Sequence, residues 1–108
     1  MFGFFSNLMG GGAGNEALQA VVKDNAFLVD VRSPMEFAEG SVKGAVNIPL
    51  DQIPYQLAKF KNKKNIVVFC RSGARSGQAK AILDQNGFSN VTNGGTWNNV
   101  REAVSQAQ

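Results

Sequence analysis

The stretch IVVFCRSGARSG, residues 66–77, decides how the chain reads. Ile66, Val67, Val68 and Phe69 run together with no polar residue between them. β-Branched and aromatic side chains suit a strand, and an unbroken apolar run implies one buried on both faces, as in a parallel sheet. Cys70, the single cysteine, closes the run. Arg71, Ser72, Gly73, Ala74, Arg75 and Ser76 follow, all small or cationic. Ala79, Ile82 and Leu83 then recur at helical spacing, and Gly87 marks the stop as a C′ residue. The segment therefore places a cysteine at the end of a buried strand, on a short loop, just before a helix N-terminus.

That placement favours a reactive thiol. A helix N-terminus offers unpaired N–H groups and the positive end of a dipole. A tight loop can turn more N–H groups inward as an anion-binding nest. With Arg71 and Arg75 nearby, each influence favours the thiolate, which is the nucleophile. The competing reading is a buried structural cysteine, common for this residue type. Two arginines and a glycine within five residues of Cys70 weigh against it.

The rest of the chain predicts an α/β domain. Leu18, Val21 and Val22 predict a helix over residues 15–24, and residues 26–31 form a second apolar strand ending at Asp30 and Arg32. Ser33-Pro34-Met35-Glu36 is a capping box with proline at the first helical position, and that helix ends by Gly40. Residues 45–48 predict a short strand closed by Pro49. Asp51 is expected to cap a helix carrying Ile53, Leu57, Ala58 and Phe60, with Pro54 in its first turn. Lys59, Lys61, Lys63 and Lys64 read as a solvated helix end. Residues 90–93 predict a last strand, Gly94-Gly95 a close backbone approach, and Thr96 the cap of a final helix bearing Trp97, Val100 and Val104. This alternation implies three layers: a mainly parallel sheet of four or five strands with helices on both faces. Ligands in such sheets bind beyond the carboxyl ends of the strands, where Asp30, Arg32, Cys70 and Gly94-Gly95 all fall.

Composition narrows the chemistry. The 108 residues suit one domain, at 44% hydrophobic and 18% charged. The net charge of +3 suits small anions, while no basic stripe with interleaved aromatics points to nucleic acid. One cysteine rules out an intramolecular disulfide. The absence of histidine removes histidine metal sites and histidine acid–base catalysis. No apolar run is long enough to span a membrane. Residues 1–14 carry Phe2, Phe4, Phe5, Leu8 and Met9 before a glycine run. They read as a hydrophobic tail with residues 10–14 as a flexible joint, ahead of a domain over 15–108. Without a basic n-region the tail does not read as a signal peptide, so a cytoplasmic location is expected.

Four stretches together resemble the rhodanese family, the thiosulfate and persulfide sulfurtransferases. CRSGARS (70–76) looks like the family's active-site loop. FLVDVRSPMEFAEG (27–40) is similar to its first signature, a strand ending in Asp-Val-Arg followed by a short helix. SVKGAVNIPL (41–50) is similar to the segment that usually reads Gly-His-Ile-x-Gly-Ala-x-Asn-Ile-Pro, with Ser41 in place of the histidine. FSNVTNGG (88–95) resembles the last strand and its Gly-Gly turn, although Trp97 comes sooner than the usual tryptophan. The resemblance implies a rhodanese-like fold and a Cys70 persulfide formed from a small anionic donor, thiosulfate or a persulfide. Cyanide, a thiol or a protein sulfur-relay partner would take the sulfur. It gives donor binding to Arg71, Ser72, Gly73, Ala74 and Arg75, with Arg75 favoured to orient the donor. It gives structural support to Asp30, Arg32, Gly94 and Gly95. No cofactor or metal is implied, and a monomer is expected.

Two rival readings fit the same residues. Cysteine phosphatases and arsenate reductases also use a cysteine loop ending in arginine. Their signature places five residues between the two, whereas four stand between Cys70 and Arg75. Arsenate reduction usually needs a second thiol as well. The other rival is a non-catalytic binding module of the same fold, against which the presence of Cys70 counts.

Overall fold

The structure is a computed structural model, and it describes residues 11–107, with side chains from residue 15 onward. In chain order the elements are α1 (Gly11–Lys23), β1 (Ala26–Asp30), α2 (Pro34–Glu39), β2 (Val46–Asn47), two 3-10 segments (Leu50–Tyr55 and Leu57–Phe60), β3 (Asn65–Cys70), α3 (Ala74–Gln85), β4 (Val91–Thr96) and α4 (Trp97–Ala107). Among the described residues the sheet has four strands in the order β2-β1-β3-β4, and every pairing is parallel. The expected three-layer α/β architecture is present.

Strand β3 explains why there are two cores. Every residue from Ile66 to Cys70 is buried. Successive side chains of a strand point to opposite faces. Ile66, Val68 and Cys70 therefore pack with Ile53, Phe60, Ala79 and Leu83, under α3 and the 3-10 segments. Val67 and Phe69 pack on the other face with Leu18, Val100 and Ala103, under α1 and α4. The unbroken apolar run is the sequence trace of one strand serving both faces.

Local signals mark most element ends. Ser33 Oγ accepts from Glu36 N at 3.2 Å and Glu36 Oε1 accepts from Ser33 N at 3.0 Å, the complete capping box. Helix α3 ends where Gly87 takes φ of 91°. Gly87 N donates to Asp84 O and Phe88 N to Leu83 O, a Schellman motif. Thr96 Oγ1 accepts from Asn99 N at 3.1 Å, capping α4 as expected. The lysines at 59, 61, 63 and 64 are exposed, and Lys64 pairs with Asp24 at 2.8 Å.

Three expectations need correction. The helix expected to follow Asp51 is two short 3-10 segments, the first with Pro49 rather than Asp51 at its N-cap position and no side-chain cap. Pro54 has no N–H to continue an α-helical ladder, and Gln56 breaks the run at φ −130°. The last strand continues past residue 93 to Thr96, because Gly94 is an extra residue in its ladder. Val68 pairs with Asn93 and Phe69 with Gly95, so Gly94 bulges between them. A Cβ on Gly94 would lie 2.5 Å from Val100 and 3.0 Å from Val67, which explains the glycine. Finally, α1 begins at Gly11, so residues 11–14 are helical rather than a joint. Each glycine there costs about 1 kcal/mol relative to alanine. The turn is added to a helix already docked on α4 through Leu18, Val21 and Val22, which bears that cost. The apolar tail expected at the extreme N-terminus lies outside the described residues.

Candidate active site

Chain geometry brings three segments to the carboxyl end of β3: the loop after Cys70, the turn after β1 with α2, and the bulged end of β4. Gly73 takes φ of 96°, a left-handed conformation that glycine adopts without strain, and it serves as the N-cap of α3. This bend folds the loop back over the sulfur. Gly73 N lies 2.9 Å from Cys70 Sγ and Ser76 N lies 3.4 Å away, each donating to it. The Ser76 hydroxyl stands 3.5 Å from the sulfur. Burial pushes the Cys70 thiol up. The Ser76 hydroxyl and the N–H groups of Ser76, Gly73 and Ser72 outweigh it, so the thiol sits below its ordinary value.

Cys70 exposes no surface, whereas Arg71, Ser72 and Ala74 around it are exposed. The sulfur thus lies beneath its own loop.

Ser76 and Asn93 brace the arrangement from below. Ser76 is fully buried, and its hydroxyl lies 2.7 Å from Asn93 Oδ1 and 3.1 Å from Gly73 O. Asn93 Oδ1 also accepts from Gly95 N at 2.9 Å. Gly95 in turn lies against Gly73. The β4 bulge therefore sets the height of the loop. Neither Ser76 nor Asn93 was singled out by the sequence reading. Ser76 was within reach of it: three residues beyond the N-cap, a serine can turn back toward the strand end. Asn93 carried no such signal.

The arginines divide. The Arg75 guanidinium meets Glu36 through two contacts, Nη1 to Oε1 at 2.8 Å and Nη2 to Oε2 at 3.1 Å. Arg75 and the Ser33 N–H hold the Glu36 carboxyl down to about 2, and Glu36 raises Arg75 in return. The residue expected to orient an anion is thus already paired at rest. Glu36, read only as half of a capping box, does two jobs. Arg71 is exposed and makes no ion pair among the described residues.

Asp30 and Arg32 lie at the same sheet end, yet they do not share an open crevice with Cys70. They are 0% and 5% exposed. Arg32 Nε and Nη2 donate to the carboxylate at 2.7–3.0 Å, and Arg32 Nη2 also donates to Gly40 O. Ser41, standing where the resemblance calls for histidine, donates its hydroxyl to Asp30 Oδ2 at 2.6 Å. Trp97 lies 5.0 Å from the Arg32 guanidinium. The two departures from the family pattern therefore both close around this pair. Among the described residues no group of three or more His, Cys, Asp or Glu side chains converges as a metal site would require.

The profile of the rhodanese-like domain matches residues 14–96. The chain belongs to the rhodanese-like domain family. It is 40% identical over 70 residues to a sulfurtransferase of Allochromatium vinosum, covering 65% of each chain. It is 41% identical over 69 residues to the thiosulfate sulfurtransferase PspE of Escherichia coli, covering 62% of this chain and 66% of that one. The chain thus spans just under two thirds of the length of these curated relatives. A solved rhodanese with anions from E. coli superposes with a TM-score of 0.63 at 37% identity, over 68% of this chain and 89% of that one. The four-stranded parallel sheet flanked by helices is the rhodanese-like fold.

Proposed function

We propose that the protein is a sulfurtransferase that carries sulfane sulfur on Cys70. The observation that supports this reading is the ring of N–H groups on the Cys70 sulfur, inside a domain of this family. In the first half-reaction the thiolate attacks the outer sulfur of thiosulfate. An S–S bond forms to Cys70, the bond to the sulfonate sulfur breaks, and sulfite leaves with its electron pair. The product is a Cys70 persulfide anion. In the second half-reaction cyanide or a thiolate attacks the terminal sulfur, leaves as thiocyanate or a persulfide, and restores the Cys70 thiolate. This is ping-pong covalent catalysis. Negative charge rests on sulfur throughout, where the loop N–H groups of Gly73 and Ser76 stabilise it.

The relatives named as sulfurtransferases support the reaction class, and the name of the E. coli relative favours thiosulfate as donor. Arg71 is the cation we assign to donor encounter, since Arg75 is held by Glu36. The loop residues Ser72, Gly73 and Ala74 supply backbone rather than side chains. An unpaired reactive thiol persists in a reducing compartment, so we place the protein in the cytoplasm. Four residues stand between Cys70 and Arg75, one fewer than in the cysteine phosphatase signature, and this shorter loop favours sulfur over phosphoryl chemistry.

The test is turnover of thiosulfate with cyanide, read as thiocyanate, beside hydrolysis of an aryl phosphate. Sulfur transfer without phosphate release is expected. Efficient phosphatase turnover with no thiocyanate would overturn the proposal. Alkylation of Cys70 against pH is expected to show a midpoint below the free value of about 8.5. A midpoint at or above it would mean that burial, not the loop, sets the thiol.

A further inference from the structure

The Ser76 hydroxyl has more partners than it can serve. It is fully buried, and three atoms stand about it: Asn93 Oδ1 at 2.7 Å, Gly73 O at 3.1 Å and Cys70 Sγ at 3.5 Å. A hydroxyl has one proton to donate and two lone pairs with which to accept. The Gly73 carbonyl only accepts. Asn93 Oδ1 also only accepts, and its neighbours fix the orientation of the amide. Gly95 N donates to that oxygen at 2.9 Å, and Asn93 Nδ2 lies 3.5 Å from Gly73 O. A reversed amide would set two donors against each other at Gly95 N and two acceptors at Gly73 O.

The shortest contact takes the proton, so at rest Ser76 donates to Asn93 and turns its lone pairs to the sulfur. That suits a thiol, whose S–H can donate to the hydroxyl. It does not suit a thiolate, which only accepts. For Ser76 to serve a thiolate, its proton must swing away from Asn93. The Asn93 carbonyl and the Cys70 sulfur therefore compete for one proton. A persulfide ends the competition, because its charge lies on the terminal sulfur and Cys70 Sγ is bonded on both sides.

We propose that Asn93 is a positioning residue: it holds the Ser76 proton while the Cys70 sulfur is uncharged and yields it when that sulfur becomes a thiolate. The proposal rests on the sulfur-transfer reading above. In the second half-reaction the acceptor attacks the terminal sulfur, the S–S bond breaks, and its electron pair returns to Cys70. The Ser76 hydroxyl then rotates from Asn93 to the leaving thiolate, and no proton is transferred. Asn93 thus works against the thiolate even as it braces the loop, and the two roles predict opposite signs. Loss of a brace would draw the N–H groups of Gly73 and Ser76 off the sulfur and disfavour the thiolate. Loss of a competitor favours it. The charged groups at this sheet end are Arg71, Arg75 with Glu36, and Asp30 with Arg32. Arg75 feels the charges of both Cys70 and Asp30, and none of the five hydrogen-bonds the side chain of Ser76 or Asn93.

Alkylation of Cys70 by neutral iodoacetamide, followed against pH, reads the competition. Asn93→Ala changes an exposed residue and is expected to lower the midpoint by about half to one pH unit, the net worth of one neutral hydrogen bond. Asn93→Asp keeps both acceptor contacts, adds a charge that holds the Ser76 proton harder, and is expected to raise the midpoint. In a Ser76→Ala background Asn93→Ala is expected to leave it unmoved, since the two residues act as one unit. A midpoint that rises or stays in place with Asn93→Ala, or falls equally with and without the Ser76 hydroxyl, would overturn the proposal. Shifts of one sign in Asn93→Ala and Asn93→Asp would do the same, and that comparison stands even if Ser76→Ala does not fold. Discharge of the loaded protein by cyanide is expected to quicken in Asn93→Ala, because a thiol of lower pKa leaves faster. Unchanged or slower discharge would remove Asn93 from the leaving step. Failure of the wild type to load with thiosulfate would strike the sulfurtransferase reading instead, while the alkylation midpoints, which need no sulfur donor, still judge Asn93.

Discussion

Two arginine–carboxylate pairs sit at the carboxyl end of this sheet. Asp30 and Arg32 are two residues apart, with side chains 0% and 6% exposed. Glu36 and Arg75 are 39 residues apart, with side chains 25% and 36% exposed. The first pair is closed in further by the Arg32 N–H, the Ser41 hydroxyl and the Gly40 carbonyl. The second ties the loop to α2 and remains reachable by water. The same ionic chemistry yields a fixed support where water is excluded and a clasp where it is not.

The comparison breaks most visibly at Asp30. Asp30→Ala leaves Arg32 buried without its partner, and removing one member of a buried pair costs about 3–5 kcal/mol. Urea denaturation is expected to show that loss, or no folded protein. A loss under about 1 kcal/mol would mean that the pair is not the support described here.

Glu36→Gln is the matched change in the second pair. It keeps the shape of the capping box but releases Arg75, and a loss of about 1 kcal/mol is expected. The released cation is expected to raise the rate of Cys70 alkylation by iodoacetate relative to neutral iodoacetamide. An unchanged ratio would mean that the pairing does not mask Arg75. The pH dependence follows from the direction of the shift. Glu36 is lowered from 4.5 to about 2, so its contribution is complete above its ordinary value and is lost as pH falls through about 2. The stability gap between wild type and Glu36→Gln is therefore expected to hold from neutral pH to the ordinary carboxylate range and to shrink below it. A gap that closes at mildly acidic pH would place Glu36 outside the pair.

Much of this was legible in the residues. Ser33-Pro34-Met35-Glu36, Gly87 and Thr96 act within a turn of where they stand, so their structures follow from spacing alone. The Asp30–Arg32 pair is local in the same sense. What was hidden depends on contacts far along the chain. Glu36 meets Arg75 and Ser76 meets Asn93 only after the strands pair, and no periodicity encodes those meetings. The 3-10 segments were misread because apolar spacing at Ile53, Leu57 and Phe60 resembles an α-helix. The expected start after Asp51 left Pro54 in a first turn, but the segment begins at Leu50, so the missing N–H of Pro54 falls where a ladder would need it. The Gly94 bulge shows the same limit: the glycine was visible, but the Val100 and Val67 contacts that demand it were not.

Arg71→Ala carries the smallest expected effect. An exposed side chain with no ion partner among the described residues contributes little to the fold, within about 0.5 kcal/mol. The expected change is a higher KM for thiosulfate, with kcat and the use of neutral alkylating agents unaltered. If Arg75→Ala raises that KM and Arg71→Ala does not, the division between the arginines is reversed.

The mass of the protein after exposure to thiosulfate tests the central claim most directly. Wild type is expected to gain about 32 Da, one sulfur atom, and to lose it on adding cyanide. Cys70→Ser is expected to stay folded and gain nothing, because a hydroxyl without an adjacent base is a poor nucleophile. A sulfur adduct on Cys70→Ser, or thiocyanate formation by that variant at near the wild-type rate, would contradict the Cys70 persulfide.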